Sequence, residues 1–355
     1  MIKSIRTAEV RVAGSVKNSL WQPLRKRGKE LDPLSPYIEG RYVARSACLD
    51  QRNAENFAAT LIAIEQRMRS RIIFDTSGLN RLADSPDMEA LMASLECFEV
   101  ILTAMNLDEL IATDDPERRE RLLRCFKRLA SRCKIISPPH QLFRLFAKAH
   151  VHNPATFNWQ RIDVRLPSYE KAVGRTTFDD ELAAESKAQH RETEKQWKEM
   201  WRGLRALHET IFAKSPSDRP TNYHEVVVMS TENTELLWSF GQWVYREAAE
   251  LTSDPSIADI KAFLEACPPF RAACYGVLMS WFNVAMKIVP PGERSYSAGR
   301  SDLLMATYLP YCDRFISADD PQANNLKDIA KEANLACEVL SFAAFENMFQ
   351  LPTAR

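Results

Sequence analysis

Glycine is scarce in this chain, with 10 among 355 residues against an ordinary usage of about 7%. Few positions can then adopt positive φ cheaply, so tight hairpins cannot be common, and a β-sandwich or propeller is disfavoured against a mostly helical protein. Net charge is absent as well. The 47 Lys+Arg cancel the 47 Asp+Glu, and a neutral chain lacks the long-range attraction that a uniformly basic nucleic-acid binder or a polybasic membrane-surface protein works by. The amino terminus has no uninterrupted apolar stretch of the kind a secretory signal needs. The most apolar run, 272–289, is interrupted by Ser280, Asn283 and Lys287, so it reads as a buried helix and not as a membrane span. The eight cysteines include no CxxC pair and mostly sit inside apolar periodic segments, the pattern of reduced, buried thiols. A cytoplasmic location without a membrane partner is the resulting expectation. The strings GxGxxG, GxxxxGK[ST], GxSxG and HExxH are all missing, which removes dinucleotide, P-loop, esterase-elbow and zincin readings. His150-Val151-His152 has no identifiable third ligand and reads as a loop pair.

What is present is a globular composition, 45% apolar and 26% charged, in a chain long enough for one enlarged domain or two. Five short β-branched or aromatic runs recur: Arg71–Phe74, Phe98–Thr103, Lys134–Ser137, Arg314–Ser317 and Cys337–Ser341. Helical periodicity separates them, and continuous apolar strands alternating with helices indicate a parallel sheet covered on both faces. Between the third and fourth runs lie two long helical patterns, Asp180–Lys214 with a charged face around Trp197 and Trp201, and Thr234–Glu250 with Leu237, Phe240, Trp243 and Val244 inward. Residues 1–35 are basic and interrupted by prolines, an arm or loose lead-in, and 47–69 carries apolar residues at helical spacing. The organisation read from these patterns is an arm and lead-in helix over 1–70, a first part of an α/β core over 71–139, a helical insertion over 140–267 and the second part of the core over 268–355.

Acidic residues punctuate this pattern at informative places. Asp75 and Asp319 terminate the first and fourth strands, Glu109 lies on the helix after the second, and Asp302 opens an apolar helix over 303–309. In an open parallel sheet, ligands gather in the crevice outside the carboxyl ends of the strands, where the strand order reverses. If strands one and four are neighbours, both aspartates point there. Four clustered acids need a counter-charge, and an all-oxygen set of this kind selects hard divalent ions such as Mg²⁺ or Mn²⁺. Such ions support phosphodiester hydrolysis by an activated water.

The same residues resemble a known family. Arg71-Ile72-Ile73-Phe74-Asp75-Thr76-Ser77-Gly78-Leu79 looks like the opening strand of a PIN domain, and Val100-Ile101-Leu102-Thr103 followed by Asp108-Glu109-Leu110 resembles its second strand and helix-borne Glu. Gly299 to Ala306, containing Asp302, resembles the third acidic motif, and Asp313-Arg314-Phe315-Ile316-Ser317-Ala318-Asp319 the Ser/Thr-x-Asp ending of the fourth strand. The resemblance covers about 71–139 and 270–345. It implies a three-layer α/β/α fold around a parallel sheet of about five strands. It also implies a metal-dependent nuclease, acting on RNA by preference, with Asp75, Glu109, Asp302 and Asp319 as catalytic metal ligands under Mg²⁺ or Mn²⁺. Ser317, Thr76 and Asp320 would support that site by hydrogen bonding or as further ligands. The family includes toxins of toxin–antitoxin modules, so an inhibitory partner protein belongs to the same expectation, and homo-oligomers are compatible with it. The long separation of Glu109 from Asp302 departs from small family members.

Each of these residues also has a plainer role open to it. Asp75 can cap the helix that follows; Asp108 competes with Glu109, and either can complement a helix dipole; Asp320, before Pro321, is a natural cap beside Asp319. Asp313 suits the anchoring of its strand. Arg118, Arg121, Arg124, Arg128 and Arg132 recur at helical spacing on one face, and Arg118, Arg121 and Arg128, with Arg300, are candidates for nucleic-acid contact, the competing reading being a solvated face. An inactive PIN-like binding or regulatory module, its helical insertion docking a partner, is the alternative function.

Overall fold

The structure is a computed structural model that describes residues 70–130, 133–165, 180–212, 218–233, 235–287 and 300–349. The basic arm, the helix expected over 47–69 and Arg132 lie outside the described residues. Five strands form one sheet: β1 (Arg71–Phe74), β2 (Glu99–Thr103), β3 (Lys134–Ile136), β4 (Arg314–Ser317) and β5 (Glu338–Ser341). Every pairing is parallel, in the order β3-β2-β1-β4-β5. The chain winds outward from β1 to β3, then returns to lay β4 on the other side of β1. That reversal makes β1/β4 the topological switch point.

The strands are short and apolar because both faces are covered. Ile72 and Phe74 face one core with Val100, Leu102, Ile135 and Ile316, whereas Ile73, Ile101, Ile136, Phe315 and Val339 face the other. On the first face pack α1 (Thr76–Asp84), α2 (Met88–Ser94), α3 (Ala104–Ile111) and α4 (Pro116–Ala130), which follow β1 and β2, together with α13 (Phe342–Asn347) after β5. The second face receives α5 (Pro139–His152) and α12 (Asp320–Glu332). The architecture is therefore α/β/α.

The insertion joins the second face. Helices α6 (Asp180–Phe212), α7 (Tyr223–Val228), α8 (Leu236–Ala249) and α9 (Ile257–Ala266), with α10 (Pro268–Trp281) that follows the insertion, bury Trp197, Tyr223, Leu237, Trp243 and Phe263 in one continuous core with Ile73 and Ile101 of the sheet. The expected apolar helix over 272–289 is α10 and its π-helical continuation Phe282–Met286, nearly every residue of which is buried. Among the described residues, no helix is long and apolar enough to cross a membrane.

Three expectations need correction. His150 and His152 close α5 and do not sit in a loop; His150 Nδ1 hydrogen-bonds the Tyr245 hydroxyl at 2.8 Å inside an aromatic cluster with Phe157 and Phe263. The helix expected after Asp302 is a short one, α11 (Arg300–Leu304), running into a 3-10 segment, Met305–Tyr311, that contains Pro310. A proline cannot supply the amide that an α-helix needs there. Asp320 does not cap α12. It is the first helical residue, and Asp319 takes the cap, its Oδ1 accepting the Gln322 amide at 2.9 Å.

Candidate functional site at the carboxyl ends of β1 and β4

Asp75 stands one residue past β1, and its own amide still donates to Ile316 O of β4 at 2.9 Å. The parallel ladder thus fixes the aspartate at the last position before the crevice. Its side chain caps α1: Oδ1 accepts the Gly78 amide at 2.6 Å and the Ser77 hydroxyl at 2.8 Å. From the neighbouring strand, the Ser317 hydroxyl donates to Oδ2 at 2.6 Å. Gly78 is what allows this proximity. A Cβ there would lie 2.9 Å from the Ile316 carbonyl and 3.1 Å from Asp75 Oδ1, so any larger residue pushes α1 off the end of β4.

The arrangement is reciprocal across the two strands. Ser317 Oγ accepts the Asp319 amide at 3.1 Å while donating to Asp75, and Ser77 Oγ accepts the Ala318 amide at 2.9 Å while donating to the same carboxylate. Asp75-x-Ser77 and Ser317-x-Asp319 are mirror spacings, and each serine orders the opposite strand's turn. Asp75 is only 1% exposed. Burial pushes its carboxyl up to about 6 against the hydrogen bonds of Ser317, Gly78 and Ser77, and the neighbouring Asp319 charge adds to the rise.

The remaining acids flank this pair. Asp302, half-buried on α11, is tied to the start of α12, where Gln322 Nε2 donates to its carbonyl at 3.3 Å. Glu109 lies half-buried on α3, and Asp108 beside it is exposed. One turn before Glu109, Asn106 is fully buried. It closes a capping box with Thr103 and reaches Thr76 Oγ1 with its Nδ2 at 3.3 Å, which fastens α3 to the β1 turn. Asn106 and Ser77 are functional-site residues that the acidic motifs alone do not pick out; the Thr103-x-x-Asn106 spacing was the available signal. Above them runs α6, against both α3 and α11, with Ser186 Oγ 3.5 Å from Asp108 O and Lys187 paired to Asp114. The insertion thus borders the crevice on the side of the helices that carry Glu109 and Asp302.

The acids do not assemble into a cage. Among the described residues, no group of three or more His, Cys, Asp or Glu is placed to hold a metal ion. The arginine face of α4 is occupied by partners of its own. Arg118 and Arg121 both reach Asp84 at the end of α1, at 3.3 and 2.7 Å, and Arg128 grips Glu89 of α2 through two contacts of 2.6 and 2.8 Å. The side chain of Arg300 lies outside the described residues. Asp313, by contrast with the crevice acids, anchors the amino end of β1 through Arg71, with 2.8 Å contacts to its amide and guanidinium. No protein-family model matches the chain, and no curated protein or solved structure matches it either.

Proposed function

We propose that the protein is a divalent-cation-dependent nuclease, with RNA its favoured substrate, working at the β1/β4 switch point. One observation carries the reading: a buried carboxylate, Asp75, stands close enough to a second, Asp319, for that charge to raise it, at the ends of two adjacent parallel strands. A purely structural aspartate at a strand end gains nothing from such a neighbour, and perturbed carboxylates in a crevice mark working sites.

The donor set fits a particular kind of ion. Without three converging ligands the site is no closed cage, but Mg²⁺ ordinarily binds through one or two carboxylates, keeps several waters and takes its remaining oxygens from substrate phosphates. Asp75 and Asp319 would hold it, with Asp302 and Glu109 at the rim. When bound, the ion supplies polarisation of the phosphodiester and acidification of a coordinated water. The chain's own residues do the positioning. Ser317 donates to Oδ2, Ser77 reaches both carboxylate oxygens and the Gly78 amide donates to Oδ1, which locks the Asp75 carboxylate between β1 and β4. Asn106 and Thr76 keep α3 and its Glu109 against that turn.

The test is cleavage of a single-stranded RNA with Mn²⁺ by the intact protein and by Asp75→Asn. Loss of cleavage in a folded variant supports the reading, and undiminished cleavage removes it. The second reading, an inert PIN-like module whose insertion docks a partner, draws on the satisfied N-cap role of Asp75. It calls for no shift in melting temperature across millimolar Mn²⁺, where a binding site stabilises the fold by mass action.

A further inference from the structure

At the amino ends of β4 and β5, on the side of the sheet opposite the crevice, two thiols approach each other. Cys312 Sγ and Cys337 Sγ are 3.5 Å apart, and neither is in a disulfide. Cys312 ends the 3-10 segment that leads into β4, and Cys337 immediately precedes β5. The two strands are already locked together here, since the Glu338 amide donates to Asp313 O at 2.9 Å. The sulfurs are unequal. Cys312 is buried and turned toward the Tyr308 and Leu309 carbonyls at 3.9 and 3.6 Å, while Cys337 is half-buried. Burial foremost, with the neighbouring Cys337, keeps Cys312 a protonated thiol well above its ordinary range.

We propose that Cys312 and Cys337 are an oxidation site that closes to a reversible disulfide, with hydroperoxides as the oxidant class. Cys337, the accessible sulfur, attacks the O–O bond as its thiolate. One peroxide oxygen becomes its sulfenic acid, and the other leaves as water or alcohol after taking a proton. Cys312 then attacks the sulfenic sulfur, the S–S bond forms, and the displaced hydroxide leaves as water with the Cys312 proton. Two thiols and one hydroperoxide give one disulfide, one alcohol or water, and one further water; the peroxide is reduced and the sulfurs are oxidised. The closing distance, from 3.5 Å to a bond of about 2.05 Å, is a side-chain adjustment. The bond would clamp the β4–α12–β5 unit at its base and leave the carboxyl end of the sheet where it is.

The other thiols supply the internal control. Among the described residues, Cys97 is exposed and Cys133 half-buried, whereas Cys125, Cys267 and Cys274 are buried. The full-length protein is treated with stoichiometric hydrogen peroxide, its remaining thiols are alkylated, and unreduced peptides are mapped by mass spectrometry. The expected result is a 312–337 crosslinked peptide, lighter by two hydrogens, that disappears with dithiothreitol, and a melting temperature several degrees higher in the oxidised protein. Cys337→Ser, at a partly exposed position, should fold, form no crosslink and leave Cys312 as a thiol that alkylates only after denaturation. Two results would overturn the proposal: Cys337 carried to sulfinic acid beside an intact Cys312 thiol in the unaltered protein, or Cys337 joined to any other cysteine.

Discussion

Asp313 at the amino end of β1 and β4 and Asp75 at their carboxyl end differ in the sign of their physics. At the amino end Asp313 is about half exposed and paired with Arg71 through its guanidinium and backbone amide. Burial alone would raise that carboxyl, but the Arg71 hydrogen bonds and charge outweigh it and hold Asp313 below the usual range. At the carboxyl end Asp75 is buried, surrounded by hydroxyls and an amide, and confronted by Asp319, and its carboxyl rises to about 6. The first aspartate stabilises the fold by being charged. The second costs the fold something by being charged.

The comparison can be broken in several ways. The largest effect expected is on activity: Asp75→Asn should reduce Mn²⁺-dependent RNA cleavage about a hundredfold or more, the order lost when one electrostatic contact to a transition state is removed, while Asp313→Asn should leave the rate unchanged. Next comes stability against pH. Because the folded Asp75 binds its proton more tightly than the unfolded chain does, with about 6 against 3.8, stability falls as pH rises through that window and stays lower above it. Two pKa units correspond to about 3 kcal/mol at most, so urea unfolding of Asp75→Asn at pH 8 should match or exceed the parent's stability and lose the slope between pH 4 and 6. An unaltered slope in the variant would place the titrating group elsewhere. Asp313 must give the opposite sign, its contribution being present above the ordinary aspartate value and lost as pH falls through its depressed one.

Smaller effects sharpen the geometry. Gly78→Ala forces a Cβ against the Ile316 carbonyl and should cost about 1–3 kcal/mol by overpacking, read as a lower denaturant midpoint with an unchanged m-value. Arg71→Ala removes a solvent-screened pair and should cost about 1 kcal/mol or less. Arg128→Ala should leave the denaturant midpoint nearly unchanged, since both partners in the Glu89 pair are exposed; a weakened RNA affinity in that variant would reveal a phosphate contact that the ion pair conceals.

The strands were legible because both their faces are buried, so each appears as an unbroken β-branched run, from Arg71–Phe74 to Arg314–Ser317. The adjacency of the first and fourth strands, a condition of the switch-point argument, is met, and the separate role of Asp313 followed from its position ahead of the strand. What stayed hidden depends on contacts between distant positions. Nothing local indicates that Arg121 belongs to Asp84 or Arg128 to Glu89, 37 and 39 residues away. Nor does a Ser-x-Asp string say that its serine gives its proton to an aspartate 242 residues earlier. The choice between Asp319 and Asp320 as cap turned on backbone conformation: Asp319 is extended and Asp320 already helical.

Trp197, Tyr223, Leu237 and Phe263 share one apolar interior with Ile73, Ile101 and Phe315. The 140–267 segment therefore supplies the ceiling of the sheet's second face and is no detachable accessory. Excising it would remove much of the cover over that face, leaving α12 and the 268–311 segment beside it, and grafting it onto another scaffold would require that scaffold to bring a matching sheet face.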